Sequence, residues 1–134
     1  MAREYRYHLT FTGTARPEDE MGMVMLIEGE AEGAPAPFSG TARFSSRVET
    51  EGETGFTETG EIVFPDGTLR FSTEGYGLIT PSADEAKQHG RVSWIIEGGS
   101  GAFAGASGFI LSNFTVSDEA KVRDSQAAVV FLPD

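Results

Sequence analysis

The chain contains no cysteine. That removes disulfides, thiol nucleophiles and Cys-ligated zinc at a stroke. Histidine is nearly as scarce, with only His8 and His89. Two separated imidazoles make neither a His metal cluster nor, without a G-x-S-x-G elbow, a Ser–His–Asp triad. Basic residues are few: ten Lys and Arg stand against 21 Asp and Glu, for a net charge of −11. With its few cations scattered, the chain would be repelled by a phosphate backbone, so neither nucleic acid nor an anionic membrane surface is an expected partner. No apolar run approaches the roughly 18 residues of a membrane span, and "MAREYRYHLT" has no signal-peptide core. A soluble, cytoplasmic protein is the expectation. Helix-length periodicities are also missing.

What is abundant is glycine, at 17 of 134 residues, where about 7% is usual. Length and composition point to one all-β domain over residues 1–134. Eight strands are legible. Residues 3–13 alternate cleanly, with Tyr5, Tyr7, Leu9 and Phe11 on one face. Residues 22–31 and 38–49 follow, the latter placing Phe38, Ala42, Phe44 and Val48 together. Residues 56–64 and 68–80 form a hairpin around the "PDG" turn at 65–67, where Pro presets φ and Gly supplies φ > 0. Residues 91–98, 109–116 and 122–132 complete the set. Between strands five and six, "PSADEAKQHG" (81–90) carries an S-x-x-E capping box at Ser82 and Glu85, which predicts one or two helical turns.

Eight strands with no helix to cover a sheet predict closure into an antiparallel barrel, which removes the exposed edges. Two strands, "MVMLI" (23–27) and "AAVVFL" (127–132), are apolar on both faces, while a barrel has one inside. A second copy of the chain is the expected cover, giving a homo-oligomer, dimer or trimer. A sandwich that buries these strands internally is the other reading.

The segment "GGSGAFAGASG" (98–108) is the most unusual piece. Its "GSGAFA" matches G-x-G-x-x-A, but a dinucleotide site needs a helix to open there, and Gly105, Ala106, Ser107 and Gly108 are poor helix formers. A shaped hairpin connection fits better, with Phe103 plugging the end of a core. The pattern G-G-[ST]-G-x-F-x-x-A-x-G, here Gly98, Gly99, Ser100, Gly101, Phe103, Ala106 and Gly108, resembles the signature of the allene oxide cyclase and dirigent barrels. Some bacterial barrels share it. By motif the resemblance covers about residues 91–132.

The resemblance implies an eight-stranded antiparallel barrel, often trimeric, with an apolar lumen. It implies a cofactor-free activity. Plant cyclases of this kind close a reactive epoxide into a cyclopentenone, dirigent proteins steer radical coupling or cyclisation, and related bacterial barrels perform cycloadditions in polyketide pathways. The carboxylate and cysteine pattern of the plant cyclases is absent, so no family catalytic residue transfers to this chain. The function expected is a cyclase or isomerase that folds an apolar, polyketide- or terpene-like substrate in its cavity by confinement. A non-catalytic barrel for hydrophobic ligands is the alternative, and a lumen packed shut would end both.

Candidate residues follow from the faces. Glu58 shares a face with Phe56, Ile62 and Phe64; a buried carboxyl there suits a general acid or base. A solvated rim position, or pairing with Arg43 or Arg70, is the other reading. Tyr7 is the second catalytic candidate, as a hydrogen-bond donor to a carbonyl or enol. Tyr5, Phe44, Phe56, Phe71 and Trp94 are candidate substrate contacts, together with Asn113 and Gln126 on otherwise apolar strands. Core packing is the alternative for each aromatic, and an ordinary satisfied polar position for Asn113 and Gln126. No metal site is expected; Glu49, Glu51 and Glu53 lack calcium-loop spacing.

Overall fold

The computed structural model describes residues 2–134. Nine strands form one antiparallel sheet: β1 (Ala2–Pro17), β2 (Val24–Ala31), β3 (Ala42–Glu51), β4 (Gly55–Phe64), β5 (Gly67–Thr73), β6 (Gly77–Pro81), β7 (Lys87–Gly101), β8 (Ser107–Ser117) and β9 (Lys121–Pro133). The ring closes because β1 pairs with β9 while β3 pairs with β4. β5 and β6 lie end to end in one position, both between β4 and β7. The result is an eight-stranded closed barrel.

Period-two alternation decides the inside. Along β1, Tyr7, Leu9 and Phe11 are buried while His8 and Thr12 face outward. Along β4 the inward row is Phe56, Glu58, Gly60, Ile62 and Phe64. Gly60 belongs to that row for a steric reason: a Cβ there would lie 2.8 Å from the Phe71 ring and 2.3 Å from the Ser45 carbonyl oxygen.

Three expectations need correction. The strand expected over 68–80 is interrupted at residues 74–76, where the exposed Glu74, Gly75 and Tyr76 leave the ladder. The helical turns expected over 81–90 do not form among the described residues. Residues 88–90 instead pair with β6 on one side and β8 on the other, and a two-sided ladder outcompetes a short helix with no apolar face. Ser82 caps a turn rather than a helix, accepting from the Asp84 N–H and donating to the Asp84 and Lys87 carbonyls. Finally, β3 starts at Ala42, so Phe38 reaches the interior from the loop before it.

The glycine segment is the shaped connection expected. It joins β7 to β8 with positive φ at Gly98, Gly101, Gly105 and Gly108. A Cβ at Gly108 would sit 2.0 Å from the Val129 carbonyl oxygen, so β8 can approach β9 only without one. The turn drives Phe103 fully into the barrel end, where its ring stacks on Phe38 (5.4 Å, 8°) and meets Phe64 edge-on at 5.3 Å. Tyr7 closes the same layer, 5.0 Å from Phe38 and 5.9 Å from Phe64. A second aromatic layer follows deeper in the bore: Trp94 stacks on Phe71 at 3.9 Å and on Phe44 at 5.8 Å, and Phe44 meets Phe11 at 5.7 Å.

Candidate active site

Beyond the second aromatic layer the bore is hollow. A cavity of about 340 Å³ opens at the end of the barrel where β1, β3 and β8 finish. Its walls are largely aliphatic and aromatic, with Ile27, Val48, Phe56, Ile79, Phe114 and Val122 prominent. A mostly apolar hollow of this size with a few inward polar groups is the usual form of a small-molecule site.

The buried ionisable groups of its lining are two carboxyls, each built the same way, while Glu53 stands exposed at the mouth. Glu58 on β4 accepts from Ser46 Oγ on β3 at 2.5 Å; Asp124 on β9 accepts from Ser112 Oγ on β8 at 2.6 Å. In each pair the serine lies twelve residues earlier, on the neighbouring strand. Around the eight-stranded ring β4 and β9 stand four positions apart, so the carboxyls enter from opposite walls. Glu58 also accepts from Trp94 Nε1 at 3.2 Å, and its backbone N–H and carbonyl are both held by the Thr73 hydroxyl. Asp124 also accepts from Gln126 Nε2 at 2.9 Å and from the Asn113 backbone. Gln126 in turn accepts from the Tyr7 hydroxyl at 3.2 Å.

Both carboxyls are buried, at 5% and 2% exposure. Burial pushes Glu58 up to about 8, and the charge of Asp124 adds to the rise while Ser46 and Trp94 oppose it. Burial pushes Asp124 up less, to about 6, because Ser112, Gln126 and the Asn113 backbone favour its ionised form. Of the two, Glu58 is held further toward its protonated form and Asp124 ionises more readily. Burial, with the Asp124 charge, raises the Tyr7 phenol well above its ordinary value, so it stays a donor.

Glu58 lies inside, as its face requires. Arg43 instead pairs with Glu30 outside (3.3 Å), and Glu58 is held by Ser46 and Trp94. Phe44 and Phe56 line the hollow. Tyr7 belongs to the plugged end, its hydroxyl spent on Gln126, and does not line the hollow. Tyr5 lies at that end too, edge-on to Phe38 at 6.4 Å. Phe71, Trp94 and Gln126 are buried behind the cavity wall and support it rather than line it. Asn113 is exposed on the outer face, and the inward polar residue beside it is Ser112. Asp124 was the residue that the sequence reading passed over. The signal was present: Val122, Asp124, Gln126, Ala128 and Val130 form one alternating row, the same anomaly that exposed Glu58.

The closed antiparallel barrel, plugged at one end by rings and hollow at the other, has counterparts of the same fold among solved structures. Two solved structures of pterocarpan synthase dirigent proteins share the architecture. GePTS1 superposes with a TM-score of 0.70 at 16% identity, covering 99% of this chain and 90% of that one. PsPTS1 gives 0.70 at 16% identity, covering 98% and 97%. No family profile and no curated protein sequence matches the chain.

Proposed function

We propose that this barrel takes an apolar small molecule into its hollow and steers it through a redox-neutral proton-transfer reaction, a cyclisation or isomerisation. The observation that carries this reading is the pair of opposed buried carboxyls inside an apolar cavity. The Asp124 carboxylate would remove a proton from the substrate and protonated Glu58 would deliver one elsewhere on the same molecule. The substrate gains and loses one proton, and proton exchange with solvent returns Asp124 and Glu58 to their starting states, so no co-reactant is consumed. The likeness in fold to dirigent proteins that are pterocarpan synthases supports the reading.

The test is the conjugation of a simple β,γ-unsaturated ketone, followed by ultraviolet absorbance, which needs one proton removed and one returned. The unaltered protein should accelerate it. Glu58→Gln and Asp124→Asn should each lower the rate by about 10²-fold or more, the usual worth of a positioned acid or base. No acceleration by the unaltered protein would leave a barrel that binds but does not catalyse, and acceleration unmoved by both changes would leave confinement alone, without the carboxyls, as its source.

The outer face of β8 and β9 supports a homo-oligomer. Phe109 and Leu111 are 50% and 59% exposed beside the outward Ala127 and Val129. A second copy covering this patch would explain why "AAVVFL" is apolar on both faces. Native mass spectrometry should show a dimer or trimer, and Leu111→Glu should shift it to monomer.

A further inference from the structure

We propose that the hollow selects a protonated amine carried on an apolar body and rejects carboxylates and phosphates of the same shape. This rests on the reading of the hollow as a small-molecule site.

The argument begins with charge. Three acids line the cavity, Glu53, Glu58 and Asp124, and among the described residues no Lys, Arg or His does. The titratable groups facing it come from β4 (Glu58), β9 (Asp124) and the β3–β4 turn (Glu53); Tyr7 of β1 stands behind Gln126. Asp124 is the decisive group. Three donors favour its ionised form against the effect of burial, Ser112, Gln126 and the Asn113 backbone, and all three are neutral. A carboxylate at 2% exposure is normally matched by a cation, and the barrel supplies none beside it. The missing positive charge is what a ligand would bring. Glu58, on the opposite wall, becomes a second partner when it releases its proton.

The walls suit the same ligand. Phe44, Phe56 and Phe114 all line the hollow, and the last two meet edge-on at 5.8 Å. Aromatic faces attract an ammonium group while accepting a hydrocarbon body. The approach is acidic as well. The turns around the mouth expose Asp19, Glu20, Glu53, Glu85, Asp118 and Glu119. Such a rim raises the local concentration of cations and repels anions before they reach the cavity.

Three matched probes test this by titration calorimetry at pH 7.5: 4-phenylbutylamine, 4-phenylbutan-1-ol and 4-phenylbutyrate. The amine should bind at least about tenfold more tightly than the alcohol, since an opposite charge close to a carboxylate shifts its proton affinity by one unit or more and the coupling is reciprocal. The carboxylate should be weakest. Asp124→Asn should bring the amine to the level of the alcohol. The amine's advantage should grow between pH 6 and 9 as Glu58 ionises, and Glu58→Gln should flatten that growth.

The ranking of the three probes on the unaltered protein needs no variant to fold. If the alcohol or the carboxylate binds as tightly as the amine, the charge assignment is overturned and the small-molecule reading stands. If none of the three binds, both are overturned.

Discussion

The two ends of the bore are made from the same strands and hold opposite contents. At one end Tyr7, Phe38, Phe64 and Phe103 fill the lumen with rings 5.0 to 5.9 Å apart. At the other, Val48, Ile79, Val116 and Val122 leave about 340 Å³ empty. Strand number and tilt set the diameter of a barrel, so the side chains decide whether a given level is core or cavity. Stability and function are thereby assigned to different levels of one tube. The largest effect that can break this comparison is Phe103→Ala. It deletes the ring at the centre of the plug and should cost about 3–5 kcal/mol in urea unfolding, whereas Val48→Ala at the hollow end should cost under about 1.5 kcal/mol. Equal losses would mean that the two ends share the work of holding the fold.

The hollow end should also carry the pH dependence of stability. Glu58 keeps its proton to about pH 8 in the folded protein against 4.5 for an ordinary Glu, and Asp124 to about 6 against 3.8. Between each pair of values the folded chain binds more protons than the unfolded chain. Stability is therefore fullest below about pH 4 as far as these groups are concerned. It falls as pH rises through 6 and on to 8, by at most about 1.4 kcal/mol per unit for each group. Glu58→Gln should remove the slope between pH 6 and 8 in thermal denaturation. Phe103→Ala should lower the whole curve and leave its slope unchanged.

Much of this was legible in the alternation of residues. The row Phe56, Glu58, Ile62, Phe64 singles out Glu58 as a carboxyl on an apolar face, because a strand has only two faces, and its burial decides between the interior and the solvated rim. The glycine segment gave the placement of Phe103, since positive φ and close backbone approach leave few alternatives for the one large side chain in it. What alternation does not encode is height along the bore. Tyr7 and Phe44 both point inward, yet one plugs and the other lines, and the difference depends on strand stagger around the ring. Trp94 and Gln126 differ from Phe44 for the same reason: they face in but stand behind the wall. Asn113 is one residue out of phase with the inward Ser112, and that single step turns a side chain from lumen to solvent. The helix expected over 81–90 was a local signal that pairing on both edges overrode.

The smallest expected change in stability sharpens the comparison most. Val48→Phe adds a ring at the hollow end. In a well-packed core such an enlargement forces shifts costing about 1–3 kcal/mol. Val48 is only half-buried and borders open space, so the ring has room to lie across the cavity. The free energy of unfolding should therefore change by less than about 1 kcal/mol, while 4-phenylbutylamine binding and ketone conjugation both fall to background. Enlarging Leu9, buried between the aromatic layers, should show the opposite pattern, with stability lost and the hollow left open. If Val48→Phe destabilised the protein as a core enlargement does, the space beside Val48 would be packed in solution, and the division between a structural end and a working end would fail.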